Sequence, residues 1–267
     1  MMKIKFVLML LVATVMFAVG NVAQGFVVTR TIQDEVDDGE EYLNTIYDPG
    51  GSWPSYAQGG GWLVSSDLEL GSNDEGEPAG LMWQVCAVQY DQLAIPQGAT
   101  ILSAKLTFQV DDPGRTGAGW SNDFTILGED ADNADLFNWF GDPGWKEIVH
   151  FDITSRDRTT AGVSWVPPTL PTVGTKVDTP DISAIIQEIV NRPGWSNNNR
   201  LTLMVYPDVY LALPDPSTGG DTPVQEVEFE AGPGSDSATL TVEWIPEPAT
   251  ICLLGLGGLM LRRRRKA

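Results

Sequence analysis

Ala104-Lys105-Leu106-Thr107-Phe108-Gln109-Val110 alternates apolar and polar side chains without a break. Successive side chains of a strand point to opposite faces, so this run predicts a strand with one buried and one wet face. The same sign recurs outward from it. Leu201–Tyr206 (LTLMVY) and Ala238–Trp244 (ATLTVEW) alternate in the same way. Leu81–Tyr90 (LMWQVCAVQY) carries apolar residues on both faces and predicts a central strand. Shorter strands are expected at 26–32, 41–46, 61–70, 122–128, 147–153, 161–166 and 225–230. Asp48-Pro49-Gly50-Gly51, Asp112-Pro113-Gly114 and Asp142-Pro143-Gly144 punctuate the gaps. Many strands with turn signals and little helix predict an all-β fold, an antiparallel jelly-roll-like β-sandwich. Trp83, Trp165 and Trp244 fall on these strands and are expected in its core.

One short amphipathic helix interrupts the pattern. Ile182, Ile185, Ile186, Ile189 and Val190 follow i, i+3, i+4, i+7 spacing. Thr179-Pro180-Asp181 supplies a cap, a first-turn proline and an acid near the positive end of the helix dipole. Pro193-Gly194 ends it. Such a helix is expected to plug one end of the sandwich.

The 267 residues include 36 Asp plus Glu, 16 Lys plus Arg, one His and two Cys, for a net charge of −20. Seven of the bases sit at the ends: Lys3, Lys5, Arg262–Arg265 and Lys266. Only Glu247 among the acids lies outside 26–245, so that span carries nine bases, 35 acids and a net charge of −26. This excludes a nucleic-acid partner, because phosphates are bound through basic patches. One His and two Cys exclude a zinc finger, a His-rich metal site and a disulfide framework. No Walker loop, dinucleotide fingerprint or G-x-S-x-G elbow occurs.

The ends are address labels. Met1–Gly25 reads as a signal peptide: Lys3 and Lys5, the apolar run Phe6–Val19, then small residues at Ala18 and Gly20 for cleavage. Its expected partners are the Sec translocon and signal peptidase. At the other end stand Pro246-Glu247-Pro248, the uncharged run Ala249–Leu261, and Arg262–Arg265 with Lys266. Thirteen apolar residues are short of the ~20 that span a bilayer comfortably, but Trp244 and snorkelling arginines extend the reach. A membrane helix is expected there, its basic cluster on the cytoplasmic side as a stop. The chain thus divides into a signal at 1–25, an acidic sandwich at 26–245 and an anchor segment at 246–267.

The order of PEP tripeptide, glycine-bearing apolar helix and arginine cluster resembles a PEP-CTERM sorting signal. That resemblance implies a Gram-negative bacterium, transient anchoring in the inner membrane, and processing near the PEP motif by an exosortase. It further implies a final place at the cell surface or in the extracellular matrix with exopolysaccharide. Pro246, Glu247 and Pro248 would then be the recognised sorting motif and Arg262, Arg263, Arg264 and Arg265 the membrane stop. A second resemblance covers Ile95–Leu106 (IPQGATILSAKL), which is similar to a segment of DNRLRE-type extracellular domains. Ile153–Trp165 and Asn191–Trp195 resemble other pieces of such domains, although the DNRLRE string itself is absent. Those domains are jelly-roll-like sandwiches of bacterial surface proteins, some linked to carbohydrate binding, and they supply no catalytic residues.

Candidate chemistry is sparse. Acid pairs that would serve glycoside hydrolysis abound (Asp34/Glu35, Asp37/Asp38, Glu40/Glu41, Asp111/Asp112), but pairs arise freely at this composition and are expected to be solvated. Asp130, Asp132 and Asp135 put hard oxygen ligands in one loop and make it a candidate Ca²⁺ site, without the glycine of an EF-hand. Trp53 and Trp62 lie in a Gly-rich segment and are candidate sugar-stacking residues, though rings capping the sandwich explain them as well. His150 is expected to be a packed or surface residue. Cys86 is expected to be core, and Cys252 lies in the tail. The function expected is therefore a non-enzymatic exported surface or matrix protein. The alternatives are a secreted glycan-active enzyme using paired carboxylates, or a glycan-binding module.

Overall fold

A computed structural model describes residues 25–34, 36–44, 58–63, 67–72, 82–141, 147–149, 151–213 and 222–247. The expected signal helix and C-terminal membrane helix lie outside them. Among the described residues, no helix is long and apolar enough to cross a membrane.

The chain is mostly β, arranged as two antiparallel sheets. The first has the order β1(Phe26–Thr31), β14(Thr239–Ile245), β6(Thr100–Asp112), β13(Val227–Glu230), β4(Asp67–Leu70), with β11(Lys176–Asp178) also paired to β6. The second has the order β10(Arg158–Trp165), β7(Phe124–Glu129), β12(Leu201–Pro207), β5(Gln84–Tyr90), β2(Asp38–Tyr42), β3(Gly61–Trp62), β9(Glu147–Ile148), β8(Trp139–Phe140). The alternation in β6 is used as read: Leu106, Phe108 and Val110 are buried, and Lys105 faces solvent and binds Asp178 at 2.5 Å. The central character of β5 also holds, since all seven of its residues are buried.

Aromatic rings join the two layers. Phe108 of β6 stacks on Trp165 of β10 at 5.7 Å and on Phe229 of β13 at 4.8 Å. Trp83, Trp165 and Trp244 are all buried. The helix α1(Ser183–Val190) presents Ile185, Ile186, Ile189 and Val190 inward, against β6 of one sheet and β7 and β10 of the other. Its N-terminus differs from the expected cap. Ile182 holds the cap position, Asp181 Oδ1 accepts from Ser183 N at 2.9 Å, and Thr179 Oγ1 is turned to β6, accepting from Leu106 N. A short second helix, α2(Asp208–Leu211), follows β12.

Several strand boundaries moved, and the stretch expected as one strand at 61–70 is divided between β3 of the second sheet and β4 of the first. The strand expected at 41–46 runs Asp38–Tyr42, paired with β5 from Val88 to Gln84. The strand expected at 147–153 stops at Ile148, because Phe151 takes a left-handed φ of 64° and Ile153 and Thr154 give their N–H groups to Glu41.

α1 comes so close to β7 that a Cβ at Gly128 would lie 2.8 Å from both Ile185 Cγ2 and Ile189 Cδ1. Gly128→Ala is expected to destabilise the domain by about 1–3 kcal/mol through overpacking. Urea unfolding of the variant beside the wild type measures this directly.

Candidate functional site

The exit of the sandwich is built by its first and last strands. β1 pairs with β14 from Phe26↔Trp244 to Thr31↔Thr239, and the Phe26 and Trp244 rings stack at 4.9 Å. β14 stays paired with β6 to Ile245↔Thr100, so Pro246 follows the last paired residue with no spacer. Glu247 turns back over the Pro96–Gly98 turn. Gly98, at φ 70°, has its Cβ position filled by the Glu247 carboxylate. The two ends of the described domain therefore leave from one corner. Pro248 and Arg262–Arg265 lie outside the described residues.

The acidic loop read as a calcium candidate is held by arginine. Arg192, just beyond α1, pairs with Asp130 and, through Nε, with Asp132 Oδ1 at 2.9 Å. Asn199 Nδ2 holds the Asp132 carbonyl at 2.8 Å. Asp135 contributes its main-chain oxygen, which accepts from Gln89 Nε2 at 2.8 Å and Arg156 at 2.9 Å. Arg156 is the centre of this side of the second sheet: it pairs with Glu129 at 2.7 Å and Asp152 at 2.9 Å, and lies 4.8 Å from the centroid of the Phe137 ring. Trp62 is on β3. Trp53 and His150 lie outside the described residues.

What the sequence did not reveal is a seam of buried acids along β2. Asp38, Glu40 and Glu41 read as solvated surface acids; the structure corrects this and leaves them 2%, 1% and 0% exposed. β4 is the last strand of the first sheet, and among the described residues no strand pairs with its outer edge at Glu69. The second sheet satisfies that edge with side chains. Glu40 Oε2 accepts from Glu69 N at 3.2 Å, while Gln84 Nε2 and Cys86 Sγ donate to the Glu69 carbonyl at 3.2 Å and 3.3 Å. Cys86 stays a thiol donor, because burial and the neighbouring carboxylates push its pKa well up. Glu41 faces the other way and is held by Ile153 N at 2.6 Å, Thr154 N at 3.1 Å and the Thr154 hydroxyl. Burial pushes Asp38 and Glu41 up to about 7. Glu40 rises well above the ordinary value through burial and the charges of Glu69, Asp67 and Asp38.

Comparison with known proteins decides the exit corner. Residues 245–266 match the PEP-CTERM protein-sorting motif. The PEP-CTERM motif marks an exported protein whose C-terminal signal is processed by an exosortase. Ile245, where the match begins, is also the last residue of β14. No curated protein matches the chain.

The seam predicts a pH dependence. Asp38 and Glu41 hold protons more tightly when folded than at their ordinary values of 3.8 and 4.5. Their contribution to stability is therefore full below those values and is lost as pH rises through about 7. In chelator, the melting temperature is expected to fall between about pH 5 and about pH 8, and Glu41→Gln to flatten that fall. A melting temperature that rises across this window contradicts the burial.

Proposed function

We propose that this chain is a non-enzymatic protein of the cell surface or extracellular matrix, and that its acidic sandwich associates with exopolysaccharide. The observation that carries this reading is the PEP-CTERM motif at 245–266, joined to β14 without a linker. An exosortase acting near that motif acts at the corner of a folded domain, and the processed product is the domain itself. The resemblance of Ile95–Leu106, Ile153–Trp165 and Asn191–Trp195 to DNRLRE-type extracellular sandwiches supports the same destination. So does the charge of the middle span, which favours divalent cations and a hydrated matrix as surroundings.

One observation favours a second reading, a glycan-binding module. Trp139 and Phe140 of β8 are 41% and 46% exposed. β8 pairs with β9, and β9 pairs with β3 at Trp62↔Glu147, so three aromatic positions come from adjoining short strands. Exposed rings on a sheet end form a platform for sugar faces.

Removing residues 246–267 is expected to abolish processing and surface retention, read by cell fractionation and by mass spectrometry of the mature C-terminus. A truncated protein that still reaches and stays at the surface overturns the sorting claim. Co-sedimentation of the full chain with extracted exopolysaccharide separates the two readings. Binding lost in Trp139→Ala favours the glycan-binding module, and binding that survives favours charge-based matrix association.

A further inference from the structure

Apolar side chains are exposed at the corner where the two ends of the domain leave. Phe26 is 51% exposed, Val27 66% and Leu102 46%. They stand at one end of three neighbouring strands, β1, β14 and β6. Phe26 pairs with Trp244, Trp244 pairs with Ile101, and Leu102 is set out of register between Ile101 and Ser103. Neighbouring strands lie about 5 Å apart, so β1 and β6 are only about 10 Å from each other across β14. Single exposed apolar residues need no partner, but a group at one corner marks a contact surface.

The length of chain beyond the corner says what covers it. Only residues 246–248 separate Ile245, the last residue of β14, from the apolar run at 249–261. Four Cα steps reach at most ~14 Å. The headgroup layer on one side of a bilayer is already ~5–8 Å deep. As a helix, the thirteen residues of that run cover ~20 Å of a ~30 Å hydrocarbon core. A short run draws its flanks toward the membrane, so the corner is pulled down onto the headgroups. The other end of the domain leaves from the same place, since only residues 20–25 separate Phe26 from the apolar run of the expected signal. The acids of the corner are drawn back onto the domain: Glu243 lies against Gly25 and Ser103, and Glu247 over Gly98. Arg30, further along β1, is turned to the Gln92 carbonyl at 2.7 Å. With −26 on the span 26–245, contact with a bilayer is through apolar side chains and not through charge.

We propose that this corner is a bilayer-docking surface. While the chain is anchored, Phe26, Val27 and Leu102 dip into the headgroup layer and set the sandwich end-on to the membrane. The proposal rests on the reading of 249–261 as a membrane segment. It adds that the folded domain itself touches lipid. The far end of β6 then points away from the membrane. Val110 stands there, about 27 Å along the strand from Leu102, with Gly174 N donating to its carbonyl at 2.7 Å.

The test uses the chain purified from membranes of a host without exosortase, so that its tail is retained, and reconstituted into phosphatidylcholine vesicles. An environment-sensitive fluorophore is attached through Val27→Cys, Leu102→Cys or Val173→Cys in a Cys252→Ala background, where the remaining thiol, Cys86, is buried. All three labelled positions are exposed, and Val173, next to Gly174, is the control at the far end. Blue-shifted emission, quenched by lipid spin-labelled high on the acyl chain, is expected at 27 and 102 and not at 173. Unshifted, unquenched labels at 27 and 102 in protein that floats with the vesicles overturn the docking and leave the membrane segment standing. Protein that does not float overturns the membrane segment and the docking with it. A shift without lipid quenching assigns the corner to a second copy of the chain, and one that needs added exosortase assigns it to the enzyme. Either result overturns the proposal.

Discussion

The outer edge of β4, which no described strand pairs, is the constraint on which the sandwich depends. An open strand edge buried at a sheet interface leaves main-chain groups that must find partners. Here the partners are side chains of the opposite sheet: Glu40 for the Glu69 N–H, and Gln84 and Cys86 for its carbonyl. These three contacts close the two layers on one side, and the Phe108–Trp165–Phe229 stack and α1 hold them across the middle and the other side. Using a carboxylate as an edge cap concentrates negative charge in the interior. The raised pKa values of Asp38 and Glu40 are consequences of that one choice.

The same closure connects fold to delivery. β1 is the first strand and β14 the last, yet they are neighbours. The first sheet is therefore complete only when the whole domain has been translocated. Ile245 is both the end of β14 and the start of the sorting motif, so the folded domain and the sorting signal meet at one residue. Glu247, lying over Gly98, shows that the motif begins in contact with the domain. The motif that an exosortase processes therefore starts at the edge of the sandwich.

Much of the fold was legible because its physics is local. The alternation in β6 and β14, the two-faced burial of β5 and the spacing of α1 each follow from a single segment. The acid seam was illegible for the opposite reason. Asp38-Gly39-Glu40-Glu41 has no apolar residue to mark an inward face, so its composition reads as surface. Its burial is imposed from outside, by the β4 edge on one face and the Ile153–Thr154 turn on the other. The Asp130 loop was legible as acidic but not as paired, because Arg192 reaches it from about sixty positions away along the chain. The exit motif was readable from residue types alone, since a sorting signal is itself a sequence signal.

The most direct measurement of the account is native-state hydrogen exchange at the Glu69 amide. If Glu40 caps the β4 edge, that amide exchanges as slowly as the paired amides of β13, and Glu40→Ala accelerates it selectively. An amide that exchanges like an exposed edge N–H in the wild type, or is unaffected by Glu40→Ala, contradicts the account.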